Sequence, residues 1–248
     1  MTPRSPLAGA AASHRLAAGA RAALAIGALV LVGGCATGPN ANPADPLEPL
    51  NRQVYRFNNA LDDAILKPAA TVYVKVLPSP VRTGVNNFFG NLSDVWSFVN
   101  SVAQLKLQDS AQTFMRVNVN TVFGLGGILD VAAELGIDRH SEDFGQTLGR
   151  WGMPAGPYLV LPLLGPSTLR DTVALPVDWR GDLVSGVSDM SVRNSLYAIR
   201  LIDIRANLLR VGQLLDDAAL DRYTFTRDAF LQRRRSEVHD GNLPDDGN

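Results

Sequence analysis

Apolar residues recur at helical spacing along most of the chain after residue 46. In the first such stretch the apolar positions are Leu50, Val54, Phe57, Leu61 and Ile65. They lie three or four residues apart, with polar residues on the opposite face of the helix. This pattern predicts an amphipathic helix that ends at Pro68, because proline cannot continue the helical hydrogen bonds.

The same periodicity predicts further helices on both sides of a glycine-rich middle. A short helix follows the prolines near residue 80, a longer helix begins at Ser93, and Asp109 is placed to cap the next one. A helical stripe runs from Val192 to Leu209, and apolar positions continue from Leu214 to Leu231 after a break near residue 216. Helical periodicity of this extent predicts an all-α body.

The segment from Val117 to Leu135 is mostly apolar but is interrupted by Gly124, Gly126 and Gly127. These glycines interrupt the segment too much for a clean membrane span. Three interpretations stay open from the sequence: a buried helix pair, a hairpin that dips into lipid, and an ordinary core turn.

From Phe144 to Asp171 a glycine or proline occurs every few residues among Trp, Tyr, Leu and Val side chains. This spacing of helix breakers predicts that no regular helix forms there. Apolar sequence of this kind must be covered or must serve an interface. Trp151 and Tyr158 suit a membrane boundary, where the ring and its polar tip are both satisfied, although plain core burial explains each of them equally well.

The first 34 residues carry three arginines, no acidic residue, and an apolar run from Ala17 to Val32. This is the arrangement of an export signal. A membrane-spanning helix competes as an interpretation, but the uncharged stretch after Arg21 is shorter than the ~20 residues that a span requires. We therefore expect residues 1–34 to be a signal peptide that is absent from the mature protein.

The apolar run ends in Val32-Gly33-Gly34-Cys35, which resembles the lipobox of bacterial lipoproteins. In that motif small residues precede a cysteine whose thiol becomes diacylated. Cys35 is the only cysteine of the chain, so it cannot form an intramolecular disulfide. The sequence predicts that Cys35 is a lipid anchor, and Ala36 after it, where an inner-membrane lipoprotein would carry Asp, favours the outer membrane with the body facing the periplasm.

The mature chain divides by composition into three parts. Residues 35–46 are polar and proline-rich and predict a tether, residues 47–232 form the body, and the charged residues 233–248 predict a disordered tail. Loss of residues 1–34 removes three of the 23 basic residues and none of the 24 acidic ones, which leaves a net charge of −4. A nucleic-acid partner is therefore not expected, because such a partner normally selects a basic excess.

Residue types that carry chemistry are sparse in the body. His140 is its only histidine, and the motifs of zinc hydrolases, serine esterases and phosphate-binding loops do not occur. The run His140-Ser141-Glu142-Asp143 looks like a catalytic fragment, but triads are built from groups distant in the chain, and a polar surface loop explains the same residues. The sequence predicts no catalytic residue, no metal site and no cofactor.

Short motifs are spread along the whole body. They are Asp45-Pro46-Leu47-Glu48, Asn51-Arg52, Phe57-Asn58, Gly126-Gly127-Ile128-Leu129-Asp130-Val131-Ala132, Phe144-Gly145-Gln146-Thr147-Leu148-Gly149, Gly156-Pro157-Tyr158, Leu161-Pro162, Gly165-Pro166-Ser167-Thr168-Leu169-Arg170-Asp171 and Arg205-Ala206-Asn207-Leu208-Leu209. This combination resembles the MlaA (VacJ) family of outer-membrane lipoproteins, over roughly residues 45–232.

The resemblance implies a fold and a function that composition alone does not. It implies a ring-like bundle of amphipathic helices in the periplasmic leaflet of the outer membrane, with a hairpin-like glycine- and proline-rich loop. Misplaced phospholipid would leave the outer leaflet through a central amphipathic channel and pass to a soluble periplasmic carrier. The implied neighbour in the membrane is a trimeric porin. No energy source such as ATP is implied, since the chain has no site for it.

The candidate channel and loop residues follow from the motifs. They are Asn51, Phe57, Asn58, Phe144, Gly145, Leu148, Gly149, Trp151, Gly156, Pro157, Tyr158, Pro162, Gly165, Arg170 and Asp171. Asn51 and Asn58 are seven residues apart and share a helix face, so we expect them on its inner side, or else exposed. Arg170 and Asp171 are expected to contact a head group or fix the loop, or else to form a solvated surface pair.

Two other functions remain open at this level. A membrane-tethered phospholipase would act on the same lipids and would need a residue such as His140, Ser167 or Asp171 for turnover. A passive scaffold that organises porins or the envelope would carry no phospholipid.

Overall fold

The structure, a computed structural model, describes residues 42, 45–212 and 220–242. Within them the helices are α1 Glu48–Leu61, α2 Lys67–Val76, α3 Ser79–Ala103, α4 Leu107–Val122, α5 Val131–Glu134, α6 Phe144–Arg150, α7 Leu169–Gly181, α8 Met190–Asn207 and α9 Arg222–Val238. The strands β1 Tyr158–Leu161 and β2 Gly165–Thr168 form one antiparallel hairpin. The described body is mostly helical, which confirms the predicted fold class.

The first helix does not end at Pro68. A π-helical segment, Asp62–Leu66, joins α1 directly to α2, and the chain stays helical to Val76. Pro68 lies in the first turn of α2, where its missing N–H has no hydrogen bond to lose. The prediction was wrong because the π segment, by widening one turn, lets a proline sit at a new helix start.

The helix α3 is a single element of 25 residues rather than a short and a longer helix divided at Ser93. Ser93 lies inside it, and the Ser93 hydroxyl accepts a hydrogen bond from the guanidinium of Arg200 instead of capping a helix. Asp109 is likewise not a cap, because α4 begins two residues earlier and Asp109 lies in its first turn. Local capping signals were misread because tertiary partners satisfy these side chains.

The contact between α3 and α4 is polar, and the outer surface of the pair is apolar. Buried polar residues on the facing sides are Asn91, Asp94, Ser97, Asn100, Ser101, Gln104, Ser110, Thr113, Arg116 and Asn120. Large apolar side chains on the outer sides are Val99, Val102, Phe114, Met115 and Val122, which are exposed. This arrangement reverses that of a helix pair in water and indicates an apolar environment outside.

Arg116 lies at the centre of this polar contact between α3 and α4, which we call the polar seam. Its guanidinium is 2% exposed, donates to both carboxylate oxygens of Asp130 at 2.7 Å, and also contacts the carbonyl of Ile137. Asp94 lies 3.7 Å from Arg116 and 3.2 Å from Arg139. Burial raises the pKa of Asp94, and the two guanidinium groups oppose that rise. Charges of both signs are thus paired inside the seam.

The glycine-rich segment after α4 is a tight turn followed by the short helix α5. Gly126 and Gly127 have positive φ angles, and a Cβ on Gly127 would lie 2.6 Å from the Asn91 side chain, so only glycine fits there. The apolar residues of the turn are largely exposed: Phe123, Leu125, Ile128 and Leu129. The turn is therefore not a core turn. No helix among the described residues is both long and apolar enough to cross a membrane.

The breaker-rich stretch contains more regular structure than its sequence predicts. The residues Phe144–Arg150 form α6, although a helix was not expected there. The Asp143 carboxylate caps this helix by accepting from the backbone N–H of Gln146, and Gly152, with a positive φ, follows its end. A good cap and a glycine just beyond the end outweigh the two glycines inside it. The hairpin β1–β2 confirms the hairpin-like loop that the resemblance implies.

The last helix also extends further than expected. The helix α9 runs to Val238, so residues 233–238 are helical rather than part of a disordered tail. Its charged residues are held by ion pairs to the body, described below, which composition does not reveal. The predicted signal peptide, Cys35, nearly all of the tether, the break near residue 216 and residues 243–248 lie outside the described residues.

Candidate functional site

Asn51 and Asn58 attach the first helix to the hairpin. The Asn51 amide donates to the Tyr158 carbonyl at 3.0 Å and accepts from the Val160 N–H at 2.9 Å. Three residues further along the chain, the Asn58 amide donates to the Leu161 carbonyl and accepts from the Leu163 N–H, each at 2.9 Å. Both side chains face the hairpin rather than solvent, and they supply hydrogen bonds to backbone groups of β1 and of the turn that follows it.

Arg170 and Asp171 belong to a buried ion-pair network with the last helix. We call the contacts of Arg234 with Asp143 and Asp171 the α9 clamp. Arg234 donates to both oxygens of Asp143 at 2.6 Å and to both oxygens of Asp171 at 2.9 and 3.0 Å. Arg170 adds two bonds of 3.0 Å to Asp171. A surface pair is therefore excluded for Arg170 and Asp171, and the clamp ties α6, α7 and α9 together.

Electrostatics within the α9 clamp favour the charged forms. Burial would raise the pKa of Asp143, but the hydrogen bonds and charge of Arg234 outweigh burial and hold that pKa below its usual range. The same two carboxylates raise the pKa of Arg234 against the opposing effect of burial. Gly145 is required for this approach, because a Cβ there would lie 2.5 Å from Asp171 Oδ1 and 2.6 Å from Arg234 Nη2.

The remaining predicted loop residues have diverse positions. Tyr158 is fully buried against Tyr223 and Phe230, so core burial is the correct interpretation for it. Trp151 is 61% exposed and donates from Nε1 to the Ala103 carbonyl. Phe57 and Pro162 are exposed, and Gly156 and Gly165 have positive φ angles. Phe144 is the first residue of α6, Leu148 lies inside α6, and Pro157 directly precedes β1. Together they shape the loop and do not converge on one centre.

The side chains that a hydrolase would need are not assembled. His140 Nε2 contacts Gln112 Oε1 at 2.5 Å, whereas the Ser167 hydroxyl contacts that of Thr172 at 3.0 Å. Asp171 is bound by two arginines, as described above. No contact links these three side chains, so they do not form a nucleophile with an adjacent base.

A cluster of carboxylates elsewhere is already neutralised. Oxygen atoms of Asp109, Glu142 and Asp240 approach within 4.8 Å of one another. The Lys106 ammonium group lies between two of them, at 2.7 Å from Glu142 and in contact with Asp240. Lys106 thus occupies the position in which a cation would be bound.

A crevice between α3 and α8 contains an apolar cavity. This cavity has a volume of about 570 Å³, and Ile128 is part of its lining. Its walls are the side chains Val81, Val85, Phe88, Phe89, Leu196 and Ile199, together with Pro80 and Gly84. Both its size and its lining suit an apolar ligand.

A polar cavity of about 340 Å³ lies beside it, lined by Arg200 and by the acidic residues Glu142, Asp143, Asp178 and Asp182. Arg200 lines it and is held by Asp182 at 2.9 Å and by the Ser93 hydroxyl at 2.9 Å. Asp178 also lines it and accepts at 2.8 Å from both Trp96 Nε1 and the Phe144 N–H. Burial raises the pKa of Asp178, and these hydrogen bonds moderate the rise.

The two cavities lie in series along the same two helices. On α3 the lining passes from Val85 and Phe89 to Ser93 and Ser97, and on α8 it passes from Ile199 to Arg200. The Arg200 guanidinium lies 6.0 Å from the centre of the Phe89 ring and marks the boundary. We call the two neighbouring cavities together the amphipathic crevice, since one is apolar and the other is lined by charged side chains.

Sequence reasoning missed the amphipathic crevice. None of the predicted site residues lines either of its cavities. One signal was present: the same face of α3 changes from apolar at residues 81–89 to polar at 93 and 97. Because the second wall, α8, lies about a hundred residues later in the chain, the pairing of the two faces needs the structure.

Comparison with known proteins gives a consistent result. A family model described as "MlaA lipoprotein" matches residues 43–237. The chain is 37% identical to the "Intermembrane phospholipid transport system lipoprotein MlaA" of Escherichia coli (strain K12), over 89% of each chain. It is 34% identical to the protein of the same name from Haemophilus influenzae, over 80% of this chain and 81% of that one.

A solved structure agrees with the fold. It is described as "Structural basis for maintenance of bacterial outer membrane lipid asymmetry" and superimposes with a TM-score of 0.69 at 34% identity. The match covers 78% of this chain and 98% of the other. The sequence of the body is thus similar to that of MlaA lipoproteins, and its fold is similar to a structure concerned with outer-membrane lipid asymmetry.

Proposed function

The chain belongs to the MlaA lipoprotein family, and from that premise we propose that it removes misplaced phospholipid from the outer leaflet of the outer membrane. The lipid would pass to a soluble periplasmic carrier for intermembrane transport, which maintains the lipid asymmetry of the outer membrane. The observation that carries this proposal is the amphipathic crevice: its apolar cavity suits an acyl chain, and its polar cavity, lined by Arg200 and four carboxylates, suits a head group that bears both charges.

We place the body in the periplasmic leaflet, anchored by lipid on Cys35. The exposed apolar sides of α3 and α4 and the exposed turn after α4 support this location. Burying such side chains in hydrocarbon is favourable by roughly 25 cal/mol for each Å² removed from water. Two or more acyl chains on the cysteine would make the attachment permanent.

The amphipathic crevice would lower the barrier to lipid movement. A lipid that crosses a bilayer unaided must take its charged head group through ~30 Å of hydrocarbon, where an unpaired charge is costly. In the crevice an acyl chain would contact Val85 and Phe89 while the phosphate group contacts Arg200. No bond is made or broken in this mechanism, so we assign the protein no catalytic residue.

Two protein partners complete the proposed route. A trimeric porin would be the neighbour in the membrane, because the apolar outer surface of α3 and α4 offers contact area at membrane depth. The carrier would receive the lipid on the periplasmic side. Since the described residues hold no nucleotide-binding loop, the direction of flow would follow the lipid gradient and the carrier.

The first test measures the phospholipid content of the outer leaflet in intact cells. Cells that lack the protein are compared with cells that carry it and with cells that carry Cys35→Ala. We expect surface phospholipid to rise on loss of the protein and the variant to fail to restore it. An unchanged surface would favour the passive scaffold, and release of fatty acid by the purified protein would favour a phospholipase.

A second prediction tests the crevice itself. Val85→Trp places an indole in the apolar cavity, and we expect it to abolish most of the transport while the protein remains folded and anchored. Val72→Trp is the matched control, because Val72 is an exposed valine on α2 that lines neither cavity. Transport is measured as restoration of low surface phospholipid in cells that lack the wild-type protein. Equal activity of the two variants would remove the crevice from the lipid path.

A further inference from the structure

The polar cavity of the amphipathic crevice has an excess of acidic side chains. Its charged lining consists of one arginine and four carboxylates: Arg200, Glu142, Asp143, Asp178 and Asp182. All phospholipids carry a phosphate group, but their head groups differ in whether they also carry a cation. The charge balance of this cavity therefore bears on which head group it admits.

Two of the four carboxylates are paired with cations from outside the lining. Glu142 binds the Lys106 ammonium group at 2.7 Å, and Asp143 binds the Arg234 guanidinium at 2.6 Å. Neither Lys106 nor Arg234 lines the cavity. These two carboxylates therefore contribute little unbalanced charge to it.

Asp182 is paired within the lining. It binds Arg200 Nη1 at 2.9 Å, and Arg200 Nη2 donates to the Ser93 hydroxyl at the same distance. The single arginine of the lining is thus matched by one carboxylate. It does not balance the fourth acidic residue as well.

Among the described residues, Asp178 is the carboxylate of this lining that has no cation partner. Its hydrogen bonds come from two uncharged donors, Trp96 Nε1 and the Phe144 N–H, each at 2.8 Å. Both bonds end on Oδ1, so Oδ2 accepts none from that part of the chain. Burial raises the pKa of this carboxyl, and an ammonium group beside Oδ2 would offset that rise.

Trp96 positions Asp178 and adds an aromatic surface to the cavity. The Trp96 ring lies directly against the backbone of Gly181, where an added Cβ would overlap the ring. This contact and the Nε1 hydrogen bond fix the ring. Trp179 is a second aromatic residue of the lining. Ammonium groups are attracted to indole faces as well as to carboxylates, so both kinds of side chain favour a cation.

We propose that the amphipathic crevice selects phospholipids whose head group ends in a primary ammonium group, as in phosphatidylethanolamine, and that Asp178 confers this selectivity. The inference rests on the proposed function, since it takes the crevice as the path of the lipid. The ammonium group would donate to Asp178 Oδ2 while the phosphate lies near Arg200. A glycerol head group, as in phosphatidylglycerol, would leave Asp178 without a cation and bring a net negative charge into an acidic cavity.

The test measures competition between two lipids for the full lipoprotein purified in detergent. The protein is incubated with mixed micelles that contain equal amounts of phosphatidylethanolamine and phosphatidylglycerol with the same acyl chains. Bound lipid is identified by native mass spectrometry. Asp178→Asn keeps the shape of the side chain and an acceptor for Trp96 and Phe144 but removes the charge. The result is the ratio of two bound lipids, so a partial loss of folded protein does not change it.

Asp189→Asn is the matched control. Asp189 is exposed and accepts a hydrogen bond from the Val192 N–H at the start of α8, and it lines neither cavity. Asparagine caps a helix about as well as aspartate does. The change therefore removes the same charge outside the crevice.

We expect the wild-type protein and Asp189→Asn to favour phosphatidylethanolamine. Asp178→Asn should lower the ratio about tenfold, which corresponds to loss of one charge-assisted hydrogen bond. Equal binding of the two lipids by the wild-type protein would overturn the selectivity and leave the lipid path intact. The same preference in both asparagine variants would overturn the role of Asp178. Absence of bound phospholipid from the wild-type protein would overturn the proposed function itself, and the selectivity with it.

Discussion

Arg234→Gln is expected to lower the free energy of unfolding by about 3–5 kcal/mol, because it removes one partner of a buried charge network. Glutamine cannot match the two carboxylates of the α9 clamp, so Asp143 and Asp171 would remain buried with a deficit of positive charge. The Arg234 side chain is only 11% exposed, so water cannot replace the lost contacts. The measurement is thermal or chemical unfolding in detergent, followed by circular dichroism.

Arg233→Gln serves as the control for this prediction. It makes the same chemical change on the same helix at an exposed position, where the expected effect is within about 0.5 kcal/mol. Equal stability of the two variants would mean that the α9 clamp does not stabilise the fold.

Acid should weaken the same clamp in the wild-type protein. The pKa of Asp143 is lowered in the folded state, so its contribution to stability is present above the unfolded value of about 3.9 and is lost as the pH falls through the folded value. Arg234→Gln should lack this part of the acid dependence. A variant that is as acid-sensitive as the wild type would place the acid response elsewhere.

Arg116→Met is expected to cost a similar 3–5 kcal/mol, since it leaves Asp94 and Asp130 without their central cation. Methionine fills most of the volume, so the loss reflects charge and hydrogen bonding more than a cavity. A second change, Asp130→Asn, should recover part of the loss in that background, because it removes one unpaired carboxylate. Unfolding in detergent is again the measurement.

Arg180→Met provides the comparison for Arg116→Met, because Arg180 is exposed on α7. A loss of stability that is equal at the two positions, or no recovery by Asp130→Asn, would contradict the role of Arg116 as the centre of the seam.

Helical periodicity was enough to predict the class of the fold, and the motifs placed the hairpin correctly. It was not enough to place helix ends. Pro68 and Ser93 are local signals for a helix boundary, but the chain stays helical at both. A π-helical turn precedes Pro68, and the Ser93 hydroxyl accepts a hydrogen bond from Arg200. At α6 the reverse occurred, since the Asp143 cap created a helix in a stretch of breakers.

The site was predictable only in part. Asn51 and Asn58 could be assigned to an inward face because they are seven residues apart on one helix. Their partners could not be assigned, because backbone groups of β1 lie about a hundred residues away. Arg234 was placed in a disordered tail, since composition shows its charge but not the two buried carboxylates that bind it.

The apolar outer surface of α3, α4 and the turn after them has a consequence for how the protein reaches its membrane. A body with an apolar outer surface is stable only in contact with lipid. A lipoprotein exported across the inner membrane, however, must first cross an aqueous compartment. During that transit both the acyl chains and a whole helical surface would tend to self-associate. We therefore expect that a soluble escort has to shield Phe114, Phe123 and their neighbours as well as the lipid, and that the finished fold is completed on arrival.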